Sequence, residues 1–313
     1  MIRYLKNSEI DTEKWDACIR ASFNGIVYAY SWYLDTVHEK WDALVEDDYI
    51  RVMPLPVSKK WGVSYIMQPF FVQQLGVFSK DILTPEIVRS FIDHIPGKYK
   101  IVDVNLNSYN TLEKKHDEIL TNSNYVLDLI HNYPSIAKKY TSNTKRNLKK
   151  SLKYKLTLVR GIKPEEMIDL FRQNRGKTLK KWGDKEYDRL KRLIYRVLSK
   201  GGGLLYGVYD EQNQLCAAAF FLRGQNRLIF LFSATGESGK KNGAMTFLID
   251  GVIREFSPGK QVLDFEGSND ENLARFYRGF GAKKVTYHRY RRNNLNLIQK
   301  LFFKIYLMVK DKS

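Results

Sequence analysis

The sequence predicts a mixed α/β protein that folds as two lobes, and three observations lead to this fold class. Hydrophobic residues make up 43% and aromatic residues 13% of the 313-residue chain, which is enough to fill a sizeable core. Segments with strand-like and helix-like periodicity alternate from one end of the chain to the other. Their order in the first half is similar to that in the second half, which indicates a structural duplication.

Residues 1–130 are predicted to form the first lobe. Thr84 and Pro85 mark the start of a helix, because a threonine side chain caps the first turn and proline fits the first helical position. The predicted strands are apolar runs bounded by turn residues. In chain order the predicted elements are helices Glu13–Ala21 and Tyr28–Val37, strands Ala43–Val45, Ile50–Val57, Tyr65–Phe71 and Gln74–Phe78, the helix that begins at Thr84, and strands Ile101–Leu106 and Tyr125–Leu129.

Residues 131–293 are predicted to form the second lobe, which begins with a basic amphipathic helix. A stripe that recurs every fourth residue would be buried, namely Tyr140, Thr144, Leu148 and Leu152. The cations between them would be exposed, namely Lys145, Arg146, Lys149, Lys150 and Lys153. The later predicted elements are helix Lys185–Ser199, strands Leu204–Tyr209, Leu215–Leu222 and Leu228–Ala234, loop Thr235–Asn242, helix Ala244–Phe256, strand Val262–Glu266, helix Asn269–Gly279, strand Lys283–Tyr290 and a basic amphipathic C-terminal helix over residues 294–313.

The net charge of +18 is distributed unevenly along the chain. Acidic and basic residues are nearly balanced in residues 1–130, so the positive excess lies in residues 131–313. No acidic residue occurs between Asp128 and Glu165, a stretch rich in lysine and arginine. Such asymmetry favours contact with a polyanion, for example a phosphorylated cofactor, an RNA or an anionic membrane surface. The alternative is a highly charged face that serves solubility.

Cysteine and histidine patterns argue against several kinds of site. Cys18 and Cys216 lie far apart and match no zinc or redox spacing, so a reducing compartment is expected. The five histidines show no paired metal-ligand spacing, and no metal site is predicted. The N-terminus lacks the apolar core of a signal peptide, and no apolar run is long enough to span a bilayer. We therefore expect a soluble, cytoplasmic protein.

The clearest chemical signal is the order strand, glycine-rich loop, helix, strand, helix, strand across residues 228–290. A helix N-terminus offers unpaired N–H groups and the positive end of a dipole, which together bind phosphate. The loop before the helix supplies two lysines, and glycines that allow a close backbone approach. It is predicted to hold a pyrophosphate, the alternative being an ordinary surface loop. The cofactor-binding candidates are Lys240, Lys241, Asn242, Gly243 and Ala244.

The segment after this loop resembles the GNAT acyltransferase family. In Asn272-Leu-Ala-Arg-Phe-Tyr-Arg-Gly-Phe-Gly-Ala, Tyr277 lies four residues before Gly281, the spacing found at the end of the GNAT core. Ala274 lies one position closer to the tyrosine than in the usual pattern. The stretch Lys240–Met245 keeps only the first glycine of the family's cofactor-binding motif.

These departures point to a branch, the tandem-GNAT, Fem-like acyltransferases. Three further stretches resemble that branch: Thr141-Ser-Asn-Thr-Lys-Arg-Asn-Leu-Lys-Lys, Met67-Gln-Pro-Phe-Phe-Val-Gln-Gln-Leu-Gly-Val-Phe and Asp264-Phe-Glu-Gly-Ser. The resemblance covers nearly the whole chain and implies two GNAT-like lobes, with the donor held mainly by the second. Members transfer an acyl or aminoacyl group to an amine, some from acyl-CoA and some from aminoacyl-tRNA in cell-wall peptide synthesis.

Within this resemblance, two side chains are candidates for catalysis. Attack of an amine on a thioester needs a neutral amine, an oxyanion donor and a proton for the leaving thiolate. We expect Tyr277 to supply that proton, and Glu266, at the end of its strand, to accept the proton of the amine through water. The alternatives are a tyrosine that packs in the core and a carboxylate that caps a helix or forms an ion pair.

The sequence therefore predicts an N-acyltransferase that moves an acyl group from acyl-CoA to a small-molecule or peptide amine. No segment corresponds to the helical arm of several tRNA-using relatives, which favours the thioester donor. The first alternative is Fem-like transfer from aminoacyl-tRNA to a cell-wall peptide precursor, with the tRNA gripped by the basic helix and by Arg289, Arg291 and Arg292. The second alternative is a non-catalytic lobe pair that binds RNA or an anionic membrane. The C-terminal helix is expected to pack on the body of the protein, the alternative being that it docks on such a membrane.

Overall fold

A computed structural model describes residues 1–38, 40–60, 62–113, 118–179, 182–267 and 269–296. The chain divides into two compact units: the first contains Met1–Thr121 and the described residues from Tyr287 onward, and the second contains Asn122–Thr286. This division differs from the predicted ranges 1–130 and 131–293, because the last strand returns to the first unit. Most of the predicted C-terminal helix, residues 297–313, lies outside the described residues.

The first unit is a mixed sheet with a capped helix packed on its apolar core. Thr84 caps this helix by accepting a hydrogen bond from the N–H of Ile87 at 3.4 Å, as its sequence predicts. The elements are β1 (Ile2–Leu5), α1 (Thr12–Ala21), α2 (Ser31–Val37), β2 (Trp41–Glu46), β3 (Arg51–Lys60), β4 (Val63–Met67), β5 (Phe78–Ser79), α3 (Pro85–Asp93) and β6 (Tyr99–Asn105). Strand β7 (Ile119–Asp128) then leads into the second unit.

The second unit contains a second mixed sheet, and strand β13 (Lys283–Asn293) returns from it to the first unit. Its other elements are α4 (Tyr133–Lys138), α5 (Ser142–Ser151), β8 (Thr157–Arg160), α6 (Pro164–Gln173), α7 (Asp184–Ser199), β9 (Gly203–Tyr209), β10 (Leu215–Gly224), β11 (Arg227–Thr235), α8 (Glu237–Asn242), α9 (Ala244–Phe256), β12 (Val262–Gly267) and α10 (Glu271–Arg278). None of the helices in the described ranges combines the length and the apolar character needed to cross a bilayer.

The two units repeat one topology, which confirms the predicted duplication. The first sheet has the order β1-β2-β3-β4-β6-β13 and the second has the order β8-β9-β10-β11-β12-β7. Neighbouring strands are antiparallel except for one pair in each sheet, β4 with β6 and β11 with β12. Two α-helices separate the first two strands of each series. The parallel pair is connected through one helix, α3, in the first unit and through two, α8 and α9, in the second. Strand β13 completes the first sheet at β6, and β7 completes the second at β12.

Two sequence predictions in the second unit need correction. The predicted loop Thr235–Asn242 contains a helix, α8, which is followed by a left-handed Gly243. The predicted buried stripe also ends early, because α5 stops at Ser151 and the side chain of Leu152 is 72% exposed. By contrast, α9 spans the predicted residues. The left-handed Gly243 separates it from α8, and Ser257 follows it in extended conformation.

A cluster of buried asparagines holds the segment that follows β4 in the first unit. The carbonyl oxygen of Val77 accepts hydrogen bonds from the side-chain amides of Asn24 at 2.9 Å, Asn107 at 3.3 Å and Asn110 at 3.0 Å. The N–H of Val77 donates to Oδ1 of Asn110 at 2.6 Å. These amides supply the hydrogen bonds that a regular strand would have made, so most of the predicted strand Gln74–Phe78 is irregular.

Asn110→Ala is expected to destabilise the protein. The substitution leaves the buried N–H of Val77 without its acceptor, which costs about 1–3 kcal/mol in the free energy of unfolding. Asn143→Ala, which removes an exposed asparagine from α5, serves as the control and should change it by less than about 0.5 kcal/mol. Chemical denaturation of both variants measures the difference, and equal stabilities would show that the amide is dispensable.

Candidate functional site

The parallel pair of the second sheet opens part of the way along its length. Strands β11 and β12 pair at Arg227 with Val262, Leu228 with Leu263 and Ile229 with Asp264. Within the described residues, no further pairing joins the rest of β11 to the rest of β12. The two strands therefore separate beyond Ile229 and Asp264. This separation leaves one edge of β11, from Phe230 to Thr235, without a strand partner at β12.

A bulge in β11 lies at the point where the strands separate. Phe220 of β10 pairs with Phe232, but the next residue, Phe221, pairs with Phe230, so Leu231 is an extra residue. Phe230 and Phe232 therefore face opposite sides of the sheet. Phe230 contacts the ring of Tyr277, with 6.5 Å between ring centroids, whereas Phe232 lies 4.6 Å from Phe171 of α6.

Tyr277 projects from α10 onto the face of the sheet where the strands separate. Asp270 caps this helix by accepting hydrogen bonds from the N–H groups of Asn272 and Leu273 at 2.8 and 3.1 Å. The ring of Tyr277 stacks on Phe265 of β12 at a centroid distance of 4.8 Å and an interplanar angle of 20°. The residue is 8% exposed, and no described side chain hydrogen-bonds its phenol oxygen.

The electrostatic surroundings of Tyr277 keep its phenol protonated. Burial is the main cause that raises its pKa, and the negative charges of Glu266 and Asp270 raise the pKa further. The phenol therefore remains a proton donor at neutral pH. The structure thus brings the two predicted catalytic residues, Tyr277 and Glu266, close enough for one to influence the ionisation of the other.

Glu266 occupies an unusual backbone conformation beside this tyrosine. Its φ of 60° lies in the left-handed region, which is rare for residues other than glycine and asparagine. The pairing of β12 with β7 shifts register between Asp264 and Gly267, so Glu266 lies in an irregularity of the strand. Strained residues of this kind concentrate at functional sites.

Asp264 fixes the backbone at Glu266. Its Oδ1 accepts the N–H of Glu266 at 2.9 Å and the side-chain amide of Asn124 at 3.0 Å. Its Oδ2 forms an ion pair with Arg227 at 2.5 Å. Asp264 is 1% exposed, and the resemblance of the stretch Asp264-Phe-Glu-Gly-Ser did not predict this role for its carboxylate. A charged residue in an otherwise apolar strand, Val-Leu-Asp-Phe, is the signal that could have found it.

The predicted cofactor loop is packed closely against the rest of the second unit. A side chain at Gly239 would lie 2.2 Å from the carbonyl oxygen of Cys216, and one at Gly243 would lie 3.1 Å from that of Asn147. Because Gly239 and Gly243 lack a side chain, other backbone groups of the same protein can pack directly against them. The N–H of Ala244 donates to Oδ1 of Asn242 at 3.0 Å, and that of Gly243 donates to the carbonyl of Gly239 at 3.1 Å.

The two lysines of this segment differ in their contacts. Lys240 forms an exposed ion pair with Glu237 at 2.5 Å. Lys241 is exposed at the end of α8, and no described acidic residue pairs with it. The N–H groups of Gly243 and Ala244 are therefore already engaged within the protein, and phosphate binding at this segment stays a prediction.

The corresponding place in the first unit is filled by its own chain. Strands β4 and β6 pair in parallel as far as Met67 and Asp103. Beyond them, the N–H of Leu75 donates to the carbonyl of Asn105 at 2.8 Å, and the carbonyl of Leu75 accepts the N–H of Asn107 at 2.7 Å. The segment that follows β4 thus closes the gap, so the open edge of the second unit has no counterpart among the described residues of the first.

The predicted tRNA-gripping arginines of β13 are largely engaged. Arg289 forms two hydrogen bonds with the carboxylate of Asp103, both 2.6 Å long, and Arg291 lies 3.4 Å from the same carboxylate. Arg292 donates to the carbonyl of Ile95 at 3.5 Å. Their charge is in part compensated within the first unit, unlike that of the lysines on α5.

Similar folds occur among solved structures. The structure of FemX covers 98% of this chain and 100% of its own, with a TM-score of 0.63 and 10% identity. A conserved protein of unknown function from Bacteroides thetaiotaomicron covers 93% of this chain and 99% of its own, with a TM-score of 0.58 and 13% identity. L-PGS from Bacillus licheniformis covers 97% of both chains, with a TM-score of 0.53 and 10% identity.

These similarities define the class of the fold. No protein-family model and no curated protein sequence matches the chain. At such low identities the structural similarity supports the fold alone. The protein therefore has the mixed α/β fold of two GNAT-like lobes in tandem, as the sequence predicts.

Asp264→Asn is expected to weaken the protein at the point where the strands separate. It keeps the shape of the side chain but leaves Arg227 without its counter-charge. Removing one partner of a buried ion pair costs about 3–5 kcal/mol in the free energy of unfolding. We expect the lower end of this range, about 3 kcal/mol, because Arg227 is partly exposed. Asp188→Asn on the exposed face of α7 is the matched control, with a change below about 0.5 kcal/mol. Urea denaturation distinguishes them, and a loss at Asp264 no larger than at Asp188 would contradict the clamping role.

Proposed function

We propose that the protein is an N-acyltransferase that moves an acyl group from an acyl-CoA thioester to an amine by direct attack. The observation that carries this proposal is the opening between β11 and β12 with Tyr277 beside it. An edge of unpaired backbone groups binds an extended ligand by the hydrogen bonds that a neighbouring strand would make. The pantetheine arm of CoA is extended and carries amides that suit such an edge.

The residues around the opening account for each proton in the transfer. The amine nitrogen attacks the thioester carbonyl, so that a C–N bond forms and the C–S bond breaks. Glu266 accepts the proton of the amine through water, and the phenol of Tyr277 gives a proton to the leaving sulfur. Because the pKa of Tyr277 is raised, its phenolate is unstable, and transfer of the proton from Glu266 through water restores both groups.

Phosphate recognition is assigned to the side chains of Lys240 and Lys241. Both are exposed at the end of α8, and α8 connects β11 to α9. A nucleotide pyrophosphate near this turn would displace Glu237 from Lys240 and gain both cations. The amine acceptor of this proposal is a small molecule or a peptide.

A second candidate function is transfer from aminoacyl-tRNA to a cell-wall peptide precursor, which the Fem-like resemblance implies. The observation that favours it is the basic helix α5, whose cations are exposed. A non-catalytic lobe pair that binds RNA or an anionic membrane shares this support. Against the tRNA donor stands the engagement of Arg289 and Arg291 with Asp103.

Tyr277→Phe should leave folding intact, because the ring still stacks on Phe265, and should lower turnover about 10²-fold, as expected for loss of a general acid. Tyr125→Phe is the matched control, since its ring is also buried and lies 6.1 Å from that of Tyr277. Turnover is measured by release of free thiol from acyl-CoA with a panel of amines, and thermal denaturation checks the fold. A fully active Tyr277→Phe would return this tyrosine to a packing role.

Charge-reversal substitutions distinguish an acyl-CoA donor from an aminoacyl-tRNA donor. Lys240→Glu with Lys241→Glu should weaken the binding of an acyl-CoA about tenfold or more, at about 1.4 kcal/mol per tenfold. Lys149→Glu with Lys150→Glu should leave that binding within a few-fold of wild type. The shift of the melting temperature by CoA esters reports donor binding, because a ligand that binds only the folded state raises it.

A tRNA donor would give the opposite pattern. Its affinity would fall steeply with salt, by about 0.7–0.9 logarithmic units per phosphate contact for each logarithmic unit of salt. The reversals on α5 would then abolish its binding. That result, together with the absence of any shift by CoA esters, would replace the acyl-CoA proposal with the tRNA-dependent one.

A further inference from the structure

The end of α5 and the turn after it form an exposed cationic surface, residues 145–155, which we call the basic tip. Its six cations are all exposed: Lys145, Arg146, Lys149, Lys150, Lys153 and Lys155. No acidic residue occurs in the chain from 129 to 164. Helix α8 packs on α5 and adds the exposed Lys241 at its own end.

The charges of the basic tip are only partly compensated. Lys155 pairs with Glu211 at 2.5 Å, and Lys145 donates to the carbonyl of Lys138 at 3.0 Å. No described acidic residue pairs with Lys149, Lys150 or Lys153. Because like charges four residues apart on a helix repel each other, the spacing of these cations destabilises α5 in isolation. An anionic partner would relieve that repulsion.

Two apolar side chains are interleaved with these cations. Leu152 is 72% exposed and Tyr154 is 43% exposed, in a 3-10 turn that follows α5. Lys155 then takes a left-handed conformation with φ of 45°, and the chain turns away into β8. One exposed leucine is ordinary on a protein surface. Here, however, residues 152–155 are four consecutive exposed positions that alternate apolar and cationic side chains.

This alternation decides between two anionic partners. A nucleic acid would satisfy the lysines through its phosphates but would leave Leu152 without an apolar contact. An anionic bilayer satisfies both kinds of side chain, because lysines are attracted to the charged headgroups while leucine and tyrosine enter the interface. The long lysine stems can also lie along the apolar boundary with their ammonium groups in water.

We propose that the basic tip docks the protein on an anionic phospholipid bilayer, with Leu152 and Tyr154 in the headgroup region and Lys149, Lys150 and Lys153 at its surface. The proposal is independent of any transferase activity, since it concerns a surface of the second unit whose occupation is measured without substrate.

Sedimentation of the full chain with vesicles tests the proposal. Wild type should bind vesicles made of equal parts phosphatidylcholine and phosphatidylglycerol. It should bind phosphatidylcholine vesicles at least about tenfold more weakly, because the attraction of the lysines to the anionic headgroups is lost. Leu152→Ser with Tyr154→Ser keeps every cation and should lower binding to the anionic vesicles several-fold. Lys149→Glu with Lys150→Glu should lower it by about tenfold or more.

Arg192→Glu with Arg196→Glu on α7 is the matched control. Both arginines are exposed, and the change in net charge equals that of the lysine variant. This control should bind the anionic vesicles within a few-fold of wild type, and thermal denaturation checks that each variant is folded.

Three results would overturn the proposal. Equal binding to neutral and anionic vesicles would remove the role of charge. An equal loss in the α7 control would mean that net charge, not the basic tip, is responsible. If the Leu152 and Tyr154 variant binds as wild type does, while tRNA competes with vesicles for the lysines, the basic tip is a nucleic-acid surface.

Discussion

The carboxylate of Asp264 holds together three strands at the point where two of them separate. It pairs with Arg227 on β11, accepts the amide of Asn124 on β7, and accepts the N–H of Glu266 on its own strand. A carboxylate buried to this degree is costly unless it is paired and hydrogen-bonded, and here both oxygens are satisfied. The short parallel pair, the bulge of β11 and the left-handed Glu266 all lie around this one group.

The duplication of the fold explains why only one opening exists in the part of the chain that the structure describes. In both units the parallel pair of strands ends early. In the first unit, the segment after β4 fills the space beyond the pair of β4 and β6. Buried amides of Asn24, Asn107 and Asn110 hold that segment in place. In the second unit, the corresponding segment forms α8 and leaves the edge of β11 open. Among the described residues, the edge beyond the parallel pair is thus closed in the first unit and open in the second.

The sequence predicts the fold class, the repeated topology and most element positions, because periodicity and caps are local. The predicted limits of α9, Ala244 and Phe256, are those of the structure, and the start of α3 follows from its cap at Thr84. Helix α8 was missed because its glycine lowers helix propensity, and what favours the helix is packing of Gly239 on a distant carbonyl. The role of Asp264 was missed for a similar reason, since its partners are far away in sequence.

The effect of a cationic residue in this protein depends on whether a carboxylate lies beside it, and the net charge alone does not show this. The arginines of β13 raise the net charge as much as the lysines of α5 do, yet Asp103 faces Arg289 and Arg291 in the first unit. The lysines of α5 have no such carboxylate among the described residues, and their helix carries repulsion between them. A fold tolerates such repulsion when hydration or a partner offsets it. The exposed Leu152 and Tyr154 among the same lysines favour a binding partner over hydration alone, because apolar surface is stabilised by removal from water.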